Sequence, residues 1–224
     1  MIIAFDLDDT LYEEITYVKS SFKAVSKYLN SKYGLSENLV YAEMLSILDA
    51  DGRGNVFNKL LIHFGVFTKA EVKKCLSVYR NSIPEIFLPQ TSIDCLNRLA
   101  DFPKYLVTDG NKMVQSNKIK SLILEPYFKK TLPTHFFGKD KSKPSTYVFH
   151  KILQWEKSTP EKLIYIGDNP NKDFVNLRKE GFKTIRVMTG MFKSIKKENE
   201  FEADVQINSL EELNAQMILK ILNN

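Results

Sequence analysis

Met1-Ile2-Ile3-Ala4-Phe5-Asp6-Leu7-Asp8-Asp9-Thr10-Leu11 is the stretch on which the fold reading turns. A short apolar run gives way abruptly to the carboxylates of Asp6, Asp8 and Asp9. Such a run, bounded by polar residues, reads as a buried strand of a parallel sheet. Ligands of open α/β sheets sit just beyond the carboxyl ends of the strands. Asp6 and Asp8 are therefore expected at the mouth of a sheet, close together. Crowding like charges is costly unless a cation or a reacting group is present. The pattern points to a metal site.

The residues that follow change character. Between 13 and 88, apolar residues recur at helical spacing in four runs, beginning with Ile15, Val18, Phe22, Val25 and Leu29. Gly34, Gly52, Gly54 and Gly65 punctuate the runs, and Pro84 and Pro89 close the segment. From about 90 the pattern alternates. Strands are expected at Tyr105–Val107, Thr131–Phe137, Leu163–Ile166, Thr184–Met188 and Val205–Ile207. Helices are expected between them, one opened by Pro144 and a last one over 210–222. Alternation of this kind argues an α/β fold: a Rossmann-like parallel sheet with helices on both faces. The helical block placed straight after the first strand looks like an inserted all-α helical-bundle cap domain over 13–88. The core domain then comprises 1–12 and 89–224.

Composition sets the broad class. The chain has 224 residues, 43% hydrophobic and 26% charged, as in ordinary globular proteins. No apolar run approaches the roughly 18 residues of a membrane helix. The apolar start is short, lacks a basic leader and runs into acids, so a cytoplasmic protein is expected. Cys75 and Cys95 show neither a C-x-x-C nor a metal spacing and read as buried thiols. The net charge of +5 gives a mild pull on anions. Its lysines are spread along the chain, without the basic stripes and interleaved aromatics of a nucleic-acid groove.

Three of the expected strands end in polar motifs: Asp6-x-Asp8, Thr108-Asp109 and Gly167-Asp168. In a parallel sheet such ends can converge on one crevice. Lys143 precedes Pro144, which biases it toward extended backbone. Asp173 follows Asp168 closely. These motifs, in this order, resemble those of the haloacid dehalogenase (HAD) superfamily, and the resemblance spans essentially the whole chain.

The resemblance implies a chemistry. Asp6 would be the nucleophile, forming an aspartyl-phosphate that divides one hard hydrolysis into two easier steps. Asp8 would be the general acid and base, with its backbone carbonyl also on the metal. Asp6, Asp8, Asp168 and Asp173 would hold Mg²⁺, an ion that prefers oxygen ligands. Thr108, Asp109 and Lys143 would bind the transferring phosphoryl group. Asp109 departs from the pattern, which more often has asparagine there. The implied activity is hydrolysis of a small phosphate monoester, such as a sugar phosphate or a nucleotide-like ester, by a monomer or homodimer. The alternatives are a phosphosugar mutase of the β-phosphoglucomutase type and a non-catalytic HAD-fold binding protein. Dehalogenases and phosphonate hydrolases of the superfamily lack the second aspartate, which disfavours both here.

Residues 49–55 resemble the start of a calcium loop, but Leu60 stands where the pattern needs a bidentate glutamate. Arg53, between two glycines, is a candidate for gripping a second anionic group of a substrate. Tyr12, Tyr17, Lys59 and His63 are weaker candidates, and His63 reads as a packed core histidine.

Overall fold

The computed structural model describes residues 1–223. The chain divides into two compact units, one of Met1–Glu14 with Phe87–Asn224 and the other of Ile15–Ile86.

The first unit is built on six strands: β1 (Ile2–Phe5), β2 (Lys104–Thr108), β3 (Lys130–Pro133), β4 (Leu163–Gly167), β5 (Lys183–Val187) and β6 (Val205–Ile207). They form one sheet in the order β3-β2-β1-β4-β5-β6, and every pairing is parallel. β1, β2 and β4 are buried along their whole lengths, as parallel strands covered on both faces must be. Phe5 lies opposite both Leu106 and Ile166, so these three strands run out at nearly one level. From β1 the chain builds outward through β2 and β3, then returns to the other side of β1 for β4 to β6. The crevice at that reversal is where open α/β sheets bind ligands.

Strand alternation divides the apolar side chains between two faces. Ile2, Ala4, Tyr105, Val107, Leu163 and Tyr165 pack in one cluster with Phe149 and Ile152 of a helix at Tyr147–Glu156 and with Leu177 of a helix at Val175–Lys179. Phe5, on the opposite face, meets Phe128 edge-on at 6.2 Å.

Three elements differ from the sequence expectation. β3 stops at Pro133 and turns into a short 3₁₀ segment at Thr134–Phe136. Proline gives no N–H to a ladder, and β3 is an edge strand where that is tolerated. The helix expected to open at Pro144 starts at Tyr147. Pro144 instead sits in a turn closed by Ser145 N–H on the Ser142 carbonyl at 2.9 Å, after a cis Lys143–Pro144 bond. The closing helix is split. Ser209 and Glu212 form a capping box on a short turn, and Asn214 then accepts from Met217 N–H at 2.9 Å where a new helix, Ala215–Asn223, begins.

The second unit is helical among the described residues. It holds α1 (Glu14–Tyr33, which starts in the first unit), α2 (Glu37–Asp51), α3 (Val56–His63) and α4 (Lys69–Asn81). Phe22, Phe57 and Tyr79 form an aromatic triangle in its core, with centroids 5.7–6.2 Å apart. Glu71 is buried yet satisfied. It accepts from Tyr28 at 2.5 Å and Tyr33 at 2.9 Å and pairs with Lys32. Lys59 pairs with Asp51 at 2.5 Å. His63 is a correction: it is exposed and faces Glu43 at 3.4 Å. The buried stripe of α3 runs through Val56, Phe57, Leu60 and Leu61, and position 63 falls off it. Each unit holds one buried free cysteine, Cys75 in α4 and Cys95 in the helix Gln90–Arg98. No helix among the described residues is long and apolar enough to cross a membrane.

Leu106 is fully buried at the centre of β2. Leu106→Ala is expected to cost about 3 kcal/mol, from lost burial plus the cavity left behind. Urea unfolding measures it.

Candidate active site

The strand ends and the turns that follow them build the site. β1 ends at Phe5, and Asp6 N–H still donates to the Ile166 carbonyl at 2.8 Å. The Asp6 backbone is thus the last rung between β1 and β4. The chain then turns sharply, with Leu11 N–H on the Leu7 carbonyl at 3.0 Å. Asp9 takes a left-handed φ of 56°, a conformation aspartate tolerates better than most residues. Its carboxylate accepts from Glu14 N–H at 2.9 Å, and its carbonyl accepts from the Thr189 hydroxyl at 2.5 Å. Gly190 packs so closely that a Cβ there would lie 2.3 Å from the Asp9 side chain. The turn carrying Asp8 is therefore pinned to the 189–191 segment.

Asp6, Asp168 and Asp173 are buried, and one oxygen from each lies within 4.8 Å of the others. Lys143 is buried among them. Its Nζ is 2.8 Å from Asp6 Oδ1, 2.8 Å from Asp173 Oδ1 and 2.7 Å from the Tyr165 hydroxyl. Asp173 Oδ2 accepts from Asn169 N–H at 3.0 Å. A Cβ at position 167 would meet that same oxygen at 2.6 Å, so only glycine leaves room for it. Arg186, buried in β5, donates to the Asp168 carbonyl at 3.2 Å and pairs with Glu202 at 2.5 Å.

One ammonium does not neutralise three carboxylates. Burial first, then the charge of Asp173, pushes the Asp6 carboxyl up to about 6 against the pull of Lys143 and Lys172. Burial, then the charges of Asp6 and Asp173, pushes Asp168 up to about 9. Burial works to lower the Lys143 ammonium, but the Asp173 and Asp6 charges outweigh it and hold the pKa well above the ordinary value. Asp173 Oδ1 accepts no hydrogen bond and has the Lys143 ammonium at 2.8 Å as its ion-pair partner. Excess buried negative charge, all-oxygen donors and a buried carboxylate oxygen that accepts no hydrogen bond together fit a hard divalent cation. Asp6, Asp168 and Asp173 are the side chains that could hold one.

Asp8 lies in different company. Its Oδ1 accepts from Lys118 Nζ and from the Tyr12 hydroxyl, both at 2.7 Å, and its Oδ2 accepts from Gln115 Nε2 at 2.9 Å. Burial works to raise its pKa. The Lys118 charge and the hydrogen bonds from Lys118, Gln115 and Tyr12 outweigh that and hold the carboxyl below its ordinary range.

Thr108 is buried at the end of β2, and its hydroxyl accepts from Gln115 at 3.1 Å. The side chain of Asp109, assigned to phosphate from the sequence, is occupied elsewhere. It accepts from the Thr134 hydroxyl at 2.6 Å and from Lys143 N–H at 3.2 Å, and it faces Lys172 Nζ at 3.4 Å. An anion so engaged braces the loop that presents Lys143. Arg53 is exposed in the loop between α2 and α3 of the helical unit.

Sequence reasoning overlooked Lys118, Gln115 and Tyr165. Gln115 and Lys118 lie three residues apart on the helix Lys112–Ser121 and so share a face. That pairing was the available signal, but polar residues on a helix ordinarily mark its solvated side.

The chain belongs to the haloacid dehalogenase-like hydrolases, whose family description matches residues 3–187. It is 28% identical over 224 residues to a glyceraldehyde 3-phosphate phosphatase of Methanocaldococcus jannaschii, covering 94% of each chain. It is 25% identical over 220 residues to a glyceraldehyde 3-phosphate phosphatase of Pyrococcus furiosus, covering 95% of this chain and 90% of that one. Among solved structures, a 2-haloacid dehalogenase from Pseudomonas syringae pv. Tomato DC3000 superposes with a TM-score of 0.65 at 20% identity, over 98% of this chain and 99% of that one. At that identity the likeness is one of fold.

Lys143→Met strips the ammonium from between Asp6 and Asp173. The expected loss is about 3 kcal/mol near neutral pH, the cost of a buried charge left uncompensated. Without Lys143 the folded-state pKa of Asp6 rises further above its unfolded value. The variant therefore recovers stability as pH falls through it. Urea unfolding at pH 7.5 and pH 5 tests both the loss and its sign.

Proposed function

We propose that the chain is a Mg²⁺-dependent phosphatase acting on a small phosphorylated sugar through an aspartyl-phosphate at Asp6. One observation carries the reading: two carboxylates on one turn are given opposite surroundings. Asp6 shares a buried pocket with Lys143 and the other two acids, while Asp8 is held apart by Lys118, Gln115 and Tyr12. Environments that separate two titratable groups assign them separate roles. The names of the relatives support a triose phosphate as the first ester to test.

In the first step an Asp6 oxygen attacks phosphorus, and the bond from phosphorus to the ester oxygen breaks. Asp8 gives its proton to the departing alkoxide. Asp8 is a carboxylate before substrate enters, and it takes up a proton from solvent as the incoming phosphate anion raises its proton affinity. In the second step water attacks the aspartyl-phosphate and leaves its proton on Asp8, freeing phosphate and restoring Asp6. That proton returns to solvent as phosphate leaves, and Asp8 is again a carboxylate. Lys143, beside Asp6, would neutralise phosphoryl charge and draw the anion toward the nucleophile. The hydroxyl of Thr108 would bind a phosphoryl oxygen. Mg²⁺, held by Asp6, Asp168 and Asp173, would supply further charge neutralisation between nucleophile and phosphate. The helical insert is proposed as the element that chooses the substrate, with Arg53 its candidate for a second anionic group.

Wild-type protein with Mg²⁺ is expected to release free phosphate from glyceraldehyde 3-phosphate, whereas a mutase would return an isomeric ester. Asp6→Asn is expected to lower turnover by at least about 10³-fold with the fold retained. Near-normal phosphate release by that variant rules out the aspartyl-phosphate route. Binding of Mg²⁺ at about 100 times its Kd is expected to stabilise the protein by about 2.7 kcal/mol. Asp168→Asn should remove most of that gain in a thermal melt; an unchanged gain places the ion elsewhere.

A further inference from the structure

Resting on the phosphatase reading, we propose that Lys118 is a positioning residue for acid–base catalysis, acting through Asp8 with Gln115 as its partner. Lys118 is only 2% exposed, although lysine on a helix normally reaches water. Burying an ammonium is costly unless it is paired and well placed. Here it pairs with Asp8 at 2.7 Å and with Glu14 at 3.2 Å. Asp8 is the general acid and base of the proposed reaction, and Glu14 opens α1 immediately after the turn that carries Asp8. The ammonium thus joins the helix Lys112–Ser121 to both ends of that turn.

Both oxygens of Asp8 are held. Oδ1 receives Lys118 and Tyr12, and Oδ2 receives Gln115. Gln115 also donates to the Thr108 hydroxyl at 3.1 Å and to the Asp109 carbonyl. One helix therefore sets the carboxylate that moves the proton and touches the threonine proposed to grip the phosphoryl group. Lys118 pairs with Asp8 and Glu14, whereas Lys143 pairs with Asp6 and Asp173 of the three-aspartate cluster. A general acid works only when aimed at the atom it protonates. Losing the aim should harm reactions that need the proton and spare those that do not.

Leaving groups separate these cases. Glyceraldehyde 3-phosphate releases an alkoxide that must be protonated, whereas 4-nitrophenyl phosphate releases a stable phenolate. Lys118→Met is expected to cut kcat on glyceraldehyde 3-phosphate by at least about tenfold. The pre-steady-state burst of 4-nitrophenolate should keep its amplitude and slow by less than about threefold, because phosphorylation of Asp6 needs no acid there. Gln115→Met, which removes the donor to Oδ2, should show the same split more weakly, and it stands as the test if Lys118→Met does not fold. Equal losses on both esters, or no loss on either, overturn the proposal while leaving the phosphatase reading intact. A wild-type protein that releases phosphate from neither ester sinks the parent reading and this one with it.

Discussion

The constraint on which this molecule depends is charge crowding at the level where β1 and β4 run out. Asp6, Asp168 and Asp173 are brought within 4.8 Å by strand register and by one tight loop. The Lys143 ammonium stands among them. Burial makes that imbalance expensive in a way a surface cluster would not be. Asp168 accordingly holds its proton up to about 9. Such a pocket favours whatever brings more positive charge, and once occupied it favours an anion beside that charge.

Much of the surrounding structure serves to keep that cluster assembled. Gly167 leaves room for the Asp173 carboxylate, and Gly190 leaves room for Asp9. Asp109 holds the backbone of Lys143, so a carboxylate braces the loop that presents the cation. Arg186 reaches the Asp168 carbonyl from β5 and binds the carbonyls of Phe192 and Ile195, tying the loop beyond β5 to the same strand ends. The two lysines divide the acids between them. Lys143 serves the cluster, and Lys118 serves Asp8 and Glu14.

The parts legible in the sequence are those with a local signature. The apolar run ending in Asp6-x-Asp8, the run ending at Thr108 and the run ending at Gly167-Asp168 announce strands and what stands at their tips. Parallel topology then brings the tips together without further information. The helices of the insert show because 3.6-residue periodicity survives over long segments. What stays hidden depends on tertiary neighbours. Lys118 and Gln115 look like solvated helix positions until the turn after β1 covers them. Asp109 looks like a phosphate ligand because it adjoins Thr108, yet Thr134 and Lys143 claim its carboxylate. His63 looks like a core residue because its neighbours are apolar, but one step of rotation along α3 takes it outside. The start of the helix at Tyr147 is set by a turn that no periodicity encodes.

The two thiols have a practical consequence. Burial pushes Cys75 up to about 12 and Cys95 up to about 11, so neither is an appreciable nucleophile in the native protein. One lies in the helical insert and the other in the sheet unit. Alkylating reagents can reach each sulfur only after its own unit opens. Peptide-resolved labelling would therefore time the loss of the insert and of the sheet separately, with no engineered probe.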